Sequence, residues 1–267
     1  MRALILCGGF ATRLDPITYF VPKSLLPIGI AGKPIVEYIV DDLVKSGIHD
    51  IVLSTNAKFL GHFDYWVKNI LEKHNRVSGM TETIITADKK KIKMEFVVEN
   101  TMNNHEKFGA IKGINYAINQ AKIDTDLIIV AGDNLYDFSI ASAIEDFKKY
   151  RKPIVGLYDT NSIDEAKKLG VVELDGNRLK SFSEKPEKPA TTIVSTGIYI
   201  IPKEMLCKFD EYLKSGNNAD AIGNFIKWMM GQTEVLGHVY KGKWYDIGTL
   251  DTYRRVFDEY SHKPPKS

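Results

Sequence analysis

The sequence predicts an α/β fold: a three-layer, mainly parallel sheet with helices on its faces, followed by a small antiparallel lobe. Three observations carry this prediction. Short apolar runs rich in β-branched residues recur through residues 1–158, segments of helical periodicity lie between them, and beyond Tyr158 the pattern changes to one of hairpins.

"ALILC" (3–7), "DIVLST" (50–55), "KMEFVV" (93–98), "LIIVAGD" (127–133) and "PIVGLY" (153–158) have the length and composition of buried strands. Between them, "PIVEYIVDDLVKSG" sets Ile35, Tyr38, Ile39 and Leu43 in an apolar stripe beside a charged face, and "FGAIKGINYAINQA" and "SIASAIEDFKKY" repeat the pattern. Strand and amphipathic helix in alternation imply right-handed crossovers. Later, Asp175-Gly176-Asn177 inside "GVVELDGNRLKSFSEKP" reads as a hairpin turn, "TTIVSTGIYIIP" as a strand, and "LDTYRRVFDEY" as a last helix before a basic tail.

At 267 residues, 44% hydrophobic and 26% charged, the chain has the composition of a globular protein with a substantial core. Lysine and arginine (36) balance aspartate and glutamate (34), so the net charge of +2 provides no general field for nucleic acid. Any polyanion is therefore small and held locally. No run is long enough to span a bilayer, and the apolar residues before Gly8 fall short of a signal-peptide core. With Cys7 and Cys207 far apart, a reduced, cytoplasmic protein is expected.

The six histidines show no paired metal spacing. "DKKKIK" (88–93) reads as a charged hairpin or loop edge, and Trp228, Met229 and Met230 read as a core-facing or interface helix. No internal repeat is visible, and no hexapeptide solenoid is expected after the last helix.

The chemistry gathers at "CGGFATRLDPIT" (7–18). Gly8 and Gly9 follow the first strand, where a parallel sheet presents its ligand loops and bare backbone N–H groups suit phosphate. Thr12 adds a hydroxyl, Arg13 a two-donor fork and Lys23, in "VPKSLLPI", a second cation. The loop matches neither a dinucleotide fingerprint nor a P-loop. A plain strand-end turn with a solvated arginine is the other reading at this point. Asp133, at the end of "LIIVAGD", stands where a parallel sheet presents its active groups, and a helix cap or turn residue is the other reading.

The order of "GGFATRLDPIT", "PKSLLPI" and "GKPIVEYIVDDL", continued by "AGDN" (131–134), "GVVELDGNRLKSFSEKP" (170–186), "STGIYII" (195–201) and "WYDIGT" (244–249), resembles the sugar-1-phosphate nucleotidylyltransferases. It is most similar to their short thymidylyl- and uridylyltransferase type. The resemblance implies a Rossmann-like nucleotidyltransferase domain that transfers NMP from an NTP, dTTP or UTP, to a sugar 1-phosphate, glucose 1-phosphate by default, releasing pyrophosphate. Residues 1–158 would form the nucleotide-binding core, 159–249 the sugar-binding lobe with the second metal carboxylate, and 250–267 the final helix and tail.

By the same resemblance, Gly8, Gly9, Ala11, Thr12, Arg13, Lys23 and Gly109 would bind the nucleotide, and Asp133 and Asp246 would hold Mg2+. Arg13, Lys23, Asp133 and Asp246 are the catalytic set. Asn134, Gly170, Glu184, Lys185, Ser195, Thr196 and Trp244 would bind the sugar phosphate, with core packing the other reading for Trp244 and a solvated strand exit that for "SEKP".

Three departures from the family pattern stand out. Ala11 occupies a position that is glycine in many relatives, Leu169 one that is commonly aromatic. "ENTMNNHEKFGAIKG" lengthens the link before Gly109, leaving Glu99, Asn100, Asn103 and Asn104 as rival base readers. The segment from about Arg76 to Lys91 has the length of a lid, an assembly surface or a disordered loop. The expected partners are the NTP and the sugar phosphate, with neither nucleic acid nor membrane, in a homo-oligomer. A glycosyltransferase is disfavoured by the absence of Asp-x-Asp at "AGDNLYDF"; a catalytically silent nucleotide-sugar-binding regulatory subunit stays open.

Overall fold

The structure, a computed structural model, describes residues 1–68, 81–85 and 91–262. His74 and most of the 76–91 segment, with its expected lid or assembly role, lie outside the described residues. In chain order the strands are β1 (Arg2–Leu6), β2 (Pro27–Ile28), β3 (Lys33–Pro34), β4 (Asp50–Asn56), β5 (Thr81–Ile85), β6 (Lys91–Glu99), β7 (Leu127–Ala131), β8 (Asn134–Tyr136), β9 (Ile154–Asp159), β10 (Gly170–Asp175), β11 (Arg178–Glu184), β12 (Ile193–Ile201), β13 (Leu236–Val239) and β14 (Trp244–Asp246). The helices are α1 (Ile17–Phe20), α2 (Ile35–Lys45), α3 (Leu60–Trp66), α4 (Ala110–Gln120), α5 (Ala141–Tyr150), α6 (Ile163–Ala166), α7 (Cys207–Lys214), α8 (Ile222–Met230) and α9 (Leu250–Ser261).

Contacts group these elements into two compact units. The first holds Met1–Leu4, Phe108–Val130 and Phe138–Gly242; the second holds Ile5–Lys107, Ala131–Asp137 and Lys243–Ser267.

In the first unit the strand order is β10-β11-β13-β9-β12-β7. Here the expectation of a mainly parallel sheet is corrected. Only β9 and β13 run parallel among the pairings of β7 and β9–β13, while β12 lies antiparallel to both β7 and β9. The sequence reading took "LIIVA" and "PIVGLY" as members of one parallel run; β12 enters between them from later in the chain.

The hairpin of β10 and β11 turns at Gly176, with φ of 60°, and bonds to β12 and β13 in the same sheet rather than standing apart as a lobe. Behind it, α7 and α8 close on an aromatic core in which Phe209 and Phe225 stack at 4.1 Å and Tyr212 meets both Phe225 and Trp228 edge-on. Each such ring removed from water contributes roughly 1.5–3 kcal/mol before entropy is counted. His238 of β13 ties α5 down, with Nε2 2.9 Å from Ser142 Oγ and Nδ1 2.6 Å from Asp146 Oδ2.

In the second unit β4 and β6 pair parallel, Asp50 opposite Lys93 through Asn56 opposite Glu99, and β5 pairs antiparallel with β6. Cys7, just past β1, donates its N–H to Ser54 at 2.8 Å. The predicted helix at "PIVEYIVDDLVKSG" is α2, with Ile35, Val36, Ile39, Val40, Leu43 and Val44 buried. It stops where the sequence says it must. Gly47 takes φ of 84°, its N–H bonds Val44, and the N–H of Ile48 reaches back to Leu43, which satisfies two terminal carbonyls.

Candidate active site

Four polar side chains of the second unit are positioned by apolar neighbours that the core claims. Arg13 precedes Leu14, Lys23 stands three residues before Leu26, Asn134 precedes Leu135, and Asp246 precedes Ile247. Leu14, Leu26, Leu135 and Ile247 pack in one cluster with Ile28, Ile35 and Val256, each 2% exposed or less. Burial of one residue fixes the direction of the next.

The short strands β8 and β14 do the aligning. They pair antiparallel with Asp246 opposite Asn134 and Trp244 opposite Tyr136, so Asp133 and Asp246 arrive side by side from distant parts of the chain. Gly132 lets this happen: a Cβ there would stand 2.4 Å from Cys7 Sγ and 2.8 Å from the Leu6 carbonyl, which accepts the Gly132 N–H. Cys7 is buried, and burial pushes its thiol pKa up to about 12 despite a hydrogen bond with Ser24.

Lys23 Nζ donates to Asp133 Oδ2 at 2.8 Å and lies 4.0 Å from Asp246 Oδ1. The lysine side chain is 8% exposed, the two carboxylates 42% and 36%. The ammonium is thus buried while both acids face water. Arg13 completes the group: its two terminal nitrogens and Asp246 Oδ2 all lie within 3.7 Å of the point where a Cβ on Gly248 would stand.

Two oxygen donors converging beside one cation, with room for further oxygens, suit Mg2+, which takes one or two carboxylates and fills its shell from water or phosphate. No group of three His, Cys, Asp or Glu converges among the described residues, and a cation of that habit does not need one.

The glycine loop is held rather than slack. Ala11 sits in the left-handed region, φ 49° and ψ 38°, and its carbonyl accepts from the Thr18 hydroxyl at 2.8 Å and the Leu14 N–H at 2.9 Å. A methyl group in that conformation is strained, which is the physical reason glycine suits the position. Asn56 donates to the Gly8 carbonyl at 3.1 Å. The Glu99 carboxylate lies 3.1 Å from where a Gly8 Cβ would be and accepts from Ser54 at 3.4 Å; its burial raises its pKa above the ordinary glutamate range. Gly9, Thr12 and Arg13 are on the open side of the loop.

The first unit carries the other expected residues. Gly170 pairs with Glu184 across the hairpin, and a Cβ on Gly170 would meet Phe182 at 2.6 Å. Gly223, at the start of α8, closes the far side of Glu184: its Cβ would be 2.6 Å from Glu184 Oε2 and 2.4 Å from Phe182 Cε1. Lys185 is 66% exposed, adopts φ of 46°, donates its N–H to the Leu169 carbonyl, and holds Nζ 3.8 Å from Glu184.

Ser195 and Thr196 are buried and their hydroxyls are engaged, Ser195 with Tyr199 at 2.8 Å and Thr196 with the Gly156 carbonyl at 2.9 Å. Gly109 has a local reason to be glycine: φ is 79° at the start of α4, and a Cβ would meet the Ala219 carbonyl at 2.8 Å.

Gly223, Gly248, Asn56, Thr18 and Ser24 escaped the sequence reading. Asn56 left a signal, as a polar residue ending a buried strand; the others act through tertiary neighbours that no local pattern reports.

The model of the Nucleotidyl transferase family matches residues 2–263. A mannose-1-phosphate guanyltransferase candidate of Sulfolobus acidocaldarius is 30% identical over 96% of this chain and 62% of its own length. The glucose-1-phosphate adenylyltransferase of Mycoplasma mobile is 28% identical over 95% of this chain and 65% of its own length. The chain therefore spans less than two thirds of these relatives. Among solved structures, a candidate glucose-1-phosphate thymidylyltransferase from Bacillus anthracis, in complex with a sucrose, superposes with a TM-score of 0.79 at 21% identity, covering 100% of this chain and 98% of that one. That likeness is one of fold.

Proposed function

Since the chain belongs to the nucleotidyl transferase family, we propose that it joins the NMP of an NTP to a sugar 1-phosphate. A phosphate oxygen of the sugar attacks the α-phosphorus in line, the bond from that phosphorus to the β-phosphate bridging oxygen breaks, and pyrophosphate leaves a nucleotide sugar behind. The observation that carries this reading is the meeting of Arg13, Lys23, Asp133 and Asp246 beside a glycine loop.

The nucleophile is the substrate's own phosphate, so the protein's task is to align anions and neutralise charge. Gly8, Gly9, Ala11 and Thr12 line the phosphate loop, Arg13 holds the departing pyrophosphate, and Lys23 contacts phosphate during attack. Gly109 belongs to the nucleotide set by family resemblance. Asp133 and Asp246 would hold Mg2+, which when bound would supply positive charge against the developing phosphoryl negative charge. By family resemblance Glu184 would accept from sugar hydroxyls and Lys185 would meet the sugar phosphate, and Asn134, Gly170, Ser195, Thr196 and Trp244 belong to the sugar-phosphate set on the same ground.

The pair proposed first is dTTP or UTP with glucose 1-phosphate, and the working form is a cytoplasmic homo-oligomer. Because the relatives' names span guanyl, adenylyl and thymidylyl transfer, the test is a panel. Pyrophosphate release is measured with Mg2+, five NTPs and three sugar 1-phosphates. Release that needs one NTP and one sugar phosphate together is the expected result. Nucleotide binding with no release from any pair would instead favour a silent regulatory subunit.

A further inference from the structure

We propose that Lys23 is the resident counter-ion of the divalent-cation seat made by Asp133 and Asp246, and that its ammonium and the cation compete for Asp133. The inference rests on the reading of those two carboxylates as the seat. Two carboxylates brought together by a strand pair repel one another, and Lys23 Nζ, at 2.8 Å from one and 4.0 Å from the other, offsets that repulsion. The ammonium in turn is buried and has lost most of its water, so it needs an anion. The two requirements meet in one contact.

The contact also uses the oxygen that a hard cation would want. A divalent ion takes carboxylate oxygens at about 2.0–2.1 Å, and an ammonium already on Asp133 Oδ2 opposes a second positive charge there. Coupling of this kind is reciprocal: the cation weakens the hold of Asp133 on Lys23, and Lys23 weakens the hold of Asp133 on the cation. When the seat fills, the ammonium loses its partner and requires a new anion, and phosphate is the anion this loop is built for. Lys23 therefore keeps the empty seat assembled and becomes available to phosphate only once the seat is filled.

The test titrates Mn2+ into the full chain without nucleotide, counting free Mn2+ by electron paramagnetic resonance, for the wild type, Lys23→Met, Lys23→Arg and Asp133→Asn. Lys23→Met is expected to bind Mn2+ about tenfold more tightly than the wild type, a mid-range value for coupled sites. Lys23→Arg should bind no more tightly than wild type, and Asp133→Asn should lose binding. Equal or weaker binding by Lys23→Met overturns the counter-ion role. If Mn2+ still binds wild type and is lost in Asp133→Asn, the seat itself stands; if no variant binds Mn2+, both fall.

A second measurement needs no variant. Reductive methylation of the wild type, mapped by mass spectrometry, should modify Lys23 faster with saturating Mn2+ than without it, and equal rates overturn the proposal.

Discussion

Lys23 and Lys185 both offer a positive charge to phosphate, yet the chain prepares them differently. Lys23 is 8% exposed and fixed to Asp133 at 2.8 Å, inside a segment anchored by Leu14, Leu26 and Ile247. Lys185 is 66% exposed, at the end of a hairpin strand, with Glu184 at 3.8 Å as its charged neighbour. The first charge is kept at the site on a buried stem, with Asp133 as its partner until the cation seat fills; the second gives up side-chain freedom when it binds, at about 1–2 kcal/mol for a long flexible chain. A charge kept at the site serves the transition state, whereas a free one serves capture.

The largest expected effect breaks the prepared side. Lys23→Met should lower kcat by about 10²–10³ with nucleotide binding retained, as for the loss of one preorganised donor to developing charge; single-turnover kinetics read it. A fall confined to KM would make the two lysines alike.

Next comes the wall around Glu184. Gly223→Ala places a methyl 2.4 Å from Phe182 Cε1 and 2.6 Å from Glu184 Oε2, and overpacking of this kind costs about 2 kcal/mol. A lower urea midpoint than wild type is expected; an unchanged one would mean that Phe182 and Glu184 move freely.

Lys185→Met is expected to raise KM for the sugar phosphate about tenfold and leave kcat near wild type, the loss of one charge-assisted contact. That penalty should shrink as salt is raised from 50 to 500 mM, since exposed charges are screened.

The smallest effect asks what a buried carboxylate costs without a lysine beside it. Burial raises the pKa of Glu99, so the folded state holds its proton more tightly than the unfolded chain does. Stability from this group is full below the ordinary glutamate pKa and is lost as pH rises through the folded one. Glu99→Gln should therefore raise the urea midpoint at pH 7.5, and the gain should close as the solution is acidified. A gain independent of pH would assign the effect to packing.

Several stretches were legible in the sequence because their signals are local. "ALILC" followed by Gly8-Gly9 marks a strand end and a loop, "LIIVAGD" ends β7 with an acid two residues on, and "KSG" stops α2. What could not be read was pairing at a distance. The strand character of "TTIVSTGIYIIP" was plain, but its antiparallel place beside β7 and β9 is decided by neighbours far away in the chain. The same holds for the meeting of Asp133 with Asp246, which depends on the three-residue strands β8 and β14 finding each other. Strands so short carry no periodicity of their own.

Gly132 packs against Cys7, and that contact bears on oxidative chemistry. The thiolate is the form that peroxide and alkylating reagents attack, and a thiol pKa pushed to about 12 leaves almost none of it at neutral pH. Cys7 is 5% exposed at the mouth of the loop, whereas Cys207 lies exposed at the start of α7. A thiol reagent or an oxidant will therefore mark Cys207 and leave the cysteine beside the glycine loop in its reduced state.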